Sequence, residues 1–242
     1  AIGGSRVETE RSRTQESYPS TLDVNCDPAA EPFLVRITPA RDAQLMTTTQ
    51  VEAPIVTLQI SAFQTPLGWL GLIGHNDKLI RIRIGQPSLD AVIEVAVSET
   101  TLGDSTADET TAIDTGVADL DISDWAPDLR HRLIQFANGE RVDFQDVELT
   151  WDRPLTSFRQ AVLDATRRIP WGQTVTYAEL AELAGSPRAA RAVGTSMSTN
   201  RFPIIIPCHR VIASGGKLGG FSAPQGTSLK QHLLTLESPA IG

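Results

Sequence analysis

Cys208 and His209 stand side by side in the stretch Pro203-Ile204-Ile205-Ile206-Pro207-Cys208-His209-Arg210-Val211. A thiol next to an imidazole suits nucleophilic attack, because the thiolate is the reactive form and a nearby base can generate it. The apolar triplet before the cysteine is short enough for a buried strand, and the two prolines stop it from growing into a helix. The stretch therefore predicts a thiol delivered at the end of a rigid buried element. The same residues also fit a packed, inert cysteine, a common fate of this side chain. On the pair alone the two readings stand level.

The segments upstream must decide between them. Phe158, Val162, Leu163 and Ala165 fall on one face of a helix that ends before Ile169-Pro170. Trp171-Gly172-Gln173 reads as a turn. Thr176 opens a second helix as N-cap, with Glu179 three residues on completing a capping box, and Gly185 ends it. Ser186 caps a third helix with Pro187 at its first position, running to about Ser198. The last two helices and their glycine turn form a helix-turn-helix. In its second helix Ala190, Val193, Gly194 and Met197 are spaced to face the core, and Arg188, Arg191, Thr195 and Ser198 fall on the other side. Small neighbours around two arginines permit close approach to a partner. A merely solvated face is the alternative.

Charge separates the chain into halves. Residues 152–242 hold 10 Lys/Arg against 5 Asp/Glu, and residues 1–151 hold 11 against 24, for a net charge of −8 over 242 residues. A basic back half points to a polyanion partner despite the acidic total. With 40% hydrophobic residues the chain can bury a sizeable core. No run approaches the roughly 18 apolar residues of a membrane span, and the start of the chain shows no charged-then-apolar export signal. Cys26 and Cys208 sit in different contexts, which implies no disulfide framework and fits a reducing, intracellular setting. His75, His131, His209 and His232 are scattered without ligand spacing, so no metal is expected.

Residues 1–54 are rich in Ser, Thr, Glu, Pro and Arg and read as a disordered or extended tail, with one apolar island at 33–37. Residues 55–150 read as a small α/β domain. It holds a three-strand antiparallel meander from Val56 to Ile84, an acidic, Thr-rich loop at 99–124, a short helix at Leu129–Ala137 and a short strand at Val142-Asp143-Phe144. Residues 154–238 form the mainly helical back domain. The fold class is thus α/β with two domains: a small antiparallel sheet plus helix in front, and a winged helix-turn-helix-like domain carrying the cysteine behind.

The order Ile169-Pro170-Trp171-Gly172, Thr176-Tyr177, Leu180-Ala181, Ala189-Ala190-Arg191-Ala192-Val193-Gly194, Asn200 and Ile206-Pro207-Cys208-His209-Arg210-Val211 resembles the O6-alkylguanine-DNA alkyltransferases, the methylated-DNA–protein-cysteine methyltransferases. Gly219-Gly220-Phe221-Ser222, Lys230, Leu233-Leu234 and Glu237 continue the match, so it covers about 155–238. The front meander resembles the family's N-terminal domain more loosely. The resemblance implies stoichiometric, irreversible DNA repair. Duplex DNA is bound, the damaged guanine is flipped out, and its O6-alkyl group moves to Cys208, with O4-methylthymine as a second candidate substrate. No cofactor takes part.

By the same resemblance His209 takes the thiol proton through a bound water, and Glu237 orients and charges that histidine. Asn200 ties the helix-turn-helix to the active turn. Tyr177 presses on the rotating phosphate or gives a proton to the leaving guanine. Arg191 fills the gap left by the flipped base. Ala178, Ser186, Arg188, Ala190, Ala192 and Gly194 contact DNA, with the second helix in the minor groove and little sequence readout. Pro207, Val211, Phe221 and Ser222 line the alkyl pocket. A monomer acting in the cytoplasm, or in the nucleus of a eukaryote, is implied.

Two departures concern the pocket: Phe221 stands where the family commonly has tyrosine, and the stretch from Phe221 to Lys230 is about two residues longer than usual, with Ala223-Pro224 in it. The front domain lacks the cysteines that, with histidine, hold zinc in some members, so none is expected there. Three competing classes remain: a lesion-binding sensor without transfer, a cysteine hydrolase, and a regulator using the helix-turn-helix alone. The presence of Cys208 argues against the first. Turnover marks the second and strong sequence preference the third.

Overall fold

Alternating side chains and tight turns build the first layer. In a computed structural model, residues 35–37, 57–101, 120–151 and 154–238 are described, with 35–37 and 99–101 described by backbone alone. A short strand β1 (Val35–Ile37) is followed by the meander β2 (Leu58–Thr65), β3 (Gly68–His75) and β4 (Lys78–Gln86). Asn76 and Asp77 both take positive φ, 50° and 57°, the backbone a two-residue hairpin needs. Gln59 clamps this turn: its amide donates to Asp77 Oδ1 and its carbonyl accepts Asp77 N–H, both at 2.7 Å.

Helix α1 (Leu89–Thr101) and strand β5 (Leu120–Ile122) follow. The sheet order is β1-β5-β2-β3-β4, and β5 runs parallel to β2 while the other pairs are antiparallel. The sheet is therefore mixed rather than purely antiparallel. Residues 35–37 of the apolar island form a sheet strand, and the acidic segment expected as a loop over 99–124 overlaps α1 at 99–101 and β5 at 120–122. Residues 102–119 and the rest of the tail lie outside the described residues.

Both faces of the sheet are covered, which explains why β3 reads as a near-continuous apolar run. On one side Val92 and Ala96 of α1 pack on Leu58, Ile60 and Ile73. Gly71 is what lets the helix come this close, because a Cβ there would lie 2.3 Å from Val92 Cγ1. On the other side Leu70, Leu72, Ile82 and Ile84 join the large core of the helical half.

Helix α2 (Pro127–Ala137) starts at a proline, whose missing N–H is no loss at that position. No strand forms at 142–144. The Asp143 carboxylate accepts Gln145 N–H at 2.9 Å, a side-chain-closed turn that competes with extended backbone. Helix α3 (Ser157–Arg167) is capped by Thr156, which accepts Arg159 N–H. The short strand β6 (Val175–Thr176) leads into α4 (Tyr177–Leu183), opened by the Thr176/Glu179 capping box. Its exit is a Schellman motif. Gly185 has φ 75°, Gly185 N–H donates to Glu182 O, and Ser186 N–H donates to Ala181 O.

That motif corrects the expected start of the next helix. Ser186 is occupied in closing α4, and Ala189 N–H folds back to Ser186 O at 2.9 Å. Helix α5 therefore spans Ala190–Ser198, and Arg188 lies in the turn before it. Two last elements complete the fold, β7 (Val211–Ile212), paired in parallel with β6, and α6 (Thr227–Leu236).

Candidate active site

The three isoleucines before Cys208 are buried, yet they form a turn and not a strand. Ile204 has φ 75°, which is strained for a β-branched residue and incompatible with extended pairing. The turn's hydrogen bonds stay inside it. Ile206 N–H donates to Phe202 O at 2.8 Å and Cys208 N–H to Ile206 O at 2.7 Å. Asn200 clamps both ends, its side-chain carbonyl accepting Phe202 N–H at 3.0 Å and its amide donating to Ile206 O at 2.8 Å.

Cys208, His209 and Arg210 form one 3-10 turn and point different ways. Cys208 lies at the floor of a cleft of about 350 Å³ lined also by Tyr177, Gly194, Met197, Ser198, Gly220, Phe221 and Ser222. His209 and Arg210 turn instead onto Glu237. His209 Nε2 lies 2.8 Å from Glu237 Oε1. Arg210 grips the same carboxylate with Nε and one terminal nitrogen, both at 2.8 Å, and donates its other terminal nitrogen to Ile169 O. Gly172 N–H adds a bond to Glu237 Oε2 at 3.3 Å. Gly172 has φ 73°, and a Cβ there would lie 2.8 Å from Glu237 O.

These bonds set the protonation states. Burial alone would raise Glu237, which is 1% exposed. Hydrogen bonds and charges from His209 and Arg210 outweigh that and hold it at about 2. An ionised carboxylate only accepts, so the Nε2 of His209 carries the proton facing it. Burial, opposed by Glu237, lowers the His209 pKa, so the ring is neutral near pH 7 and its Nδ1 holds a free lone pair. That Nδ1 is buried and has no hydrogen-bond partner among the described residues. Burial pushes the Cys208 thiol up, with a hydrogen bond from Asn200 and the charge of Lys230 working against it. The Tyr177 hydroxyl is also raised, first by burial and then by Cys208.

Pairing of Val175 with Val211 holds the start of α4, and so Tyr177, beside the turn that carries Cys208. The structure brings Cys208, Tyr177, Gly194, Phe221 and Ser222 together in the cleft, with His209, Asn200 and Glu237 behind it. Pro207 and Val211 are buried in the flanks of the turn and do not line the cleft. Arg191 and Ala192 on α5 are exposed, as are Ala178 and Arg188, while Ala190 and Ser186 are half-buried.

Two buried cations went unassigned by the spacing of residues, Arg210 and Lys230. The Lys230 ammonium donates to Val211 O at 2.6 Å and Gly220 O at 3.4 Å. The available signal was its place directly after Leu229 and three before Leu233, inside an apolar helix face. Among the described residues no cluster of His, Cys, Asp or Glu is arranged to hold a metal ion, and no helix is long and apolar enough to cross a membrane.

Comparison with known proteins places these features in context. Residues 157–239 match the family described as the DNA-binding domain of 6-O-methylguanine DNA methyltransferase. A methylated-DNA–protein-cysteine methyltransferase of Metallosphaera sedula is 41% identical over 110 residues, covering 46% of this chain and 66% of the relative. The protein of that name from Mycobacterium tuberculosis is 43% identical over 119 residues, covering 47% and 69%. The alignments thus span about two thirds of these curated relatives. A solved structure of Mycobacterium tuberculosis OGT in complex with DNA superposes with a TM-score of 0.54 at 31% identity, over 75% of this chain and 96% of that one.

Proposed function

The chain belongs to the methylated-DNA–protein-cysteine methyltransferase family, and on that premise we propose that it repairs alkylated DNA by moving the alkyl group from guanine O6 onto Cys208. The observation that carries this reading is the relay behind the thiol: ionised Glu237, proton-bearing Nε2 of His209, and a buried Nδ1 with its lone pair unused. A thiol of ordinary pKa is only a few per cent thiolate at neutral pH, and Cys208 lies above that range. It needs a base at the moment of attack. The Cys208 proton passes to His209 Nδ1 through a bound water, Sγ bonds to the alkyl carbon, and the carbon–O6 bond breaks. The products are a thioether on Cys208 and a guanine that takes back a proton. Tyr177 shares the cleft and stays protonated, which suits it to supply that proton. The thioether is not hydrolysed, so one chain acts once.

Duplex DNA is the partner this reading requires. Helix α5 presents Arg191 beside Ala190, Ala192 and Gly194, a profile low enough to enter the minor groove with one long side chain projecting. Arg191 takes the place of the flipped base, while Ala178, Ser186 and Arg188 lie near the backbone. Such binding reads little sequence and weakens with salt. The chain acts as a monomer where the genome is, in the cytoplasm or the nucleus. Residues 154–238 do the chemistry and 55–150 support it.

The test is to incubate the protein with duplex DNA containing O6-methylguanine and measure the mass of the Cys208 peptide. The expected result is one added CH2, saturating at one per chain. An unmodified peptide, or release of methyl groups with repeated turnover, would overturn the proposal.

A further inference from the structure

The cleft has one wall whose position is set from outside the helical half. Gly220, Phe221 and Ser222 form that wall, and Met197 and Ser198 of α5 also line the cleft. Its inner end is fixed in two ways. Gly219 has φ 70° and abuts Tyr177, whose hydroxyl oxygen lies 2.8 Å from where a Cβ would stand. The carbonyl of Gly220 accepts from buried Lys230.

The outer end crosses to the sheet. Gln225 Nε2 donates to Gly85 O of β4 at 2.7 Å, a contact spanning 140 residues of sequence. Gly85 has φ 69°, and a Cβ there would lie 2.3 Å from Gln225 Oε1 and 2.7 Å from Leu229 Cδ2. The end of β4 thus accepts the glutamine amide and leaves no room for a side chain. Gly226 N–H folds back to Ala223 O at 2.8 Å, so residues 223–226 make a tight turn with Gln225 at its corner. Phe221 and Ser222 hang between these two anchors. This is the same stretch whose length and Ala223-Pro224 pair set the chain apart by sequence.

We infer that Gln225 is a positioning residue that sets the width of the alkyl cleft by tying the Phe221–Ser222 wall to strand β4. The inference rests on the repair reading for the ligand's identity, though the tie itself does not depend on it. Gln225 does not line the cleft and makes no hydrogen bond to Cys208, His209 or Glu237, so its loss is expected to free the wall without altering the nucleophile. The alkyl group it excludes or admits is one wider than methyl.

The full chain is compared with Gln225→Ala and with Gln225→Glu, which keeps the size but at neutral pH has no proton to donate to Gly85 O. Gly85→Ala, which drives a methyl group into the glutamine amide, breaks the same tie from the other side. Two ratios are measured by mass spectrometry on the Cys208 peptide: alkylation by N-benzyl iodoacetamide against iodoacetamide, and transfer from O6-benzylguanine against O6-methylguanine in duplex DNA. Both ratios are expected to rise about fivefold in the variants, the scale of one hydrogen bond. Unchanged ratios, or equal losses with the narrow and wide reagents, would overturn the inference, because a merely structural role lowers both together. If the unaltered chain takes no alkyl group from DNA while the iodoacetamide ratio still rises, the repair reading fails and the positioning role stands.

Discussion

At the scale of single residues the site turns on Glu237. Four donors converge on one carboxylate that is almost wholly buried. Removing its charge strands the Arg210 guanidinium in the interior, and breaking a buried pair in that way costs roughly 3–5 kcal/mol. Glu237→Gln is therefore expected to unfold at clearly lower denaturant. It is also expected to transfer methyl groups roughly 10²–10⁴-fold more slowly, since the amide can present an N–H to His209 and reverse the proton on the ring. Stopped-flow transfer and urea melts check both. Acid should act on the unaltered chain in the same sense. The pKa values of His209 and Glu237 are depressed on folding, so their stabilising effect is complete above the unfolded values of 6.5 and 4.5. The His209 share fades below 6.5, and the Glu237 share is lost as pH falls from 4.5 towards about 2. Transfer should likewise persist at pH 6.5 and fail only below it, as Nδ1 becomes protonated. A pH–rate profile that already halves at 6.5 would contradict the depressed histidine.

At the scale of elements, local chemistry was readable and long-range burial was not. Thr176 and Glu179 announce α4 because a capping box is complete within four residues, and Gly185 announces its end for the same reason. The meander was legible from period and turn chemistry. Helix α1 was not: Val92, Val95 and Val97 are β-branched and blur its periodicity, although Ser88 accepts Ala91 N–H as a cap. Ile204–Ile206 misled in the opposite direction, since a buried apolar triplet says nothing about φ at its first residue. Cys208 and His209 are legible as a pair from their adjacency and Glu237 only from the resemblance, and nothing in the spacing tells that Arg210 shares the carboxylate. Gly71 shows the price of close layers. Gly71→Ala places a methyl against Val92, a stiff buried side chain, and overpacking of this kind costs about 1–3 kcal/mol. Thermal melts should show the loss, and Val92→Ala in the same chain should restore part of it.

For the molecule as a whole, charge is divided unevenly along the chain. Basic residues outnumber acidic ones two to one over 152–242, the half that carries α5 and the cleft. If Arg191 serves to replace a flipped base, its removal matters only when there is a stack to open. Arg191→Ala should slow transfer from duplex DNA by roughly tenfold or more, the scale of unstacking one base, and leave the reaction with free O6-benzylguanine unchanged. Equal slowing with both substrates would refute that role. The placement of the thiol has one more consequence. Susceptibility of cysteine to peroxide and to stray disulfides follows thiolate character and exposure, and Cys208 is only 6% exposed with its pKa pushed upward. On the proposed reading each chain acts once, so it has a shelf life as well as a rate. Keeping the sulfur covered and protonated preserves each chain's single equivalent until a lesion arrives to claim it.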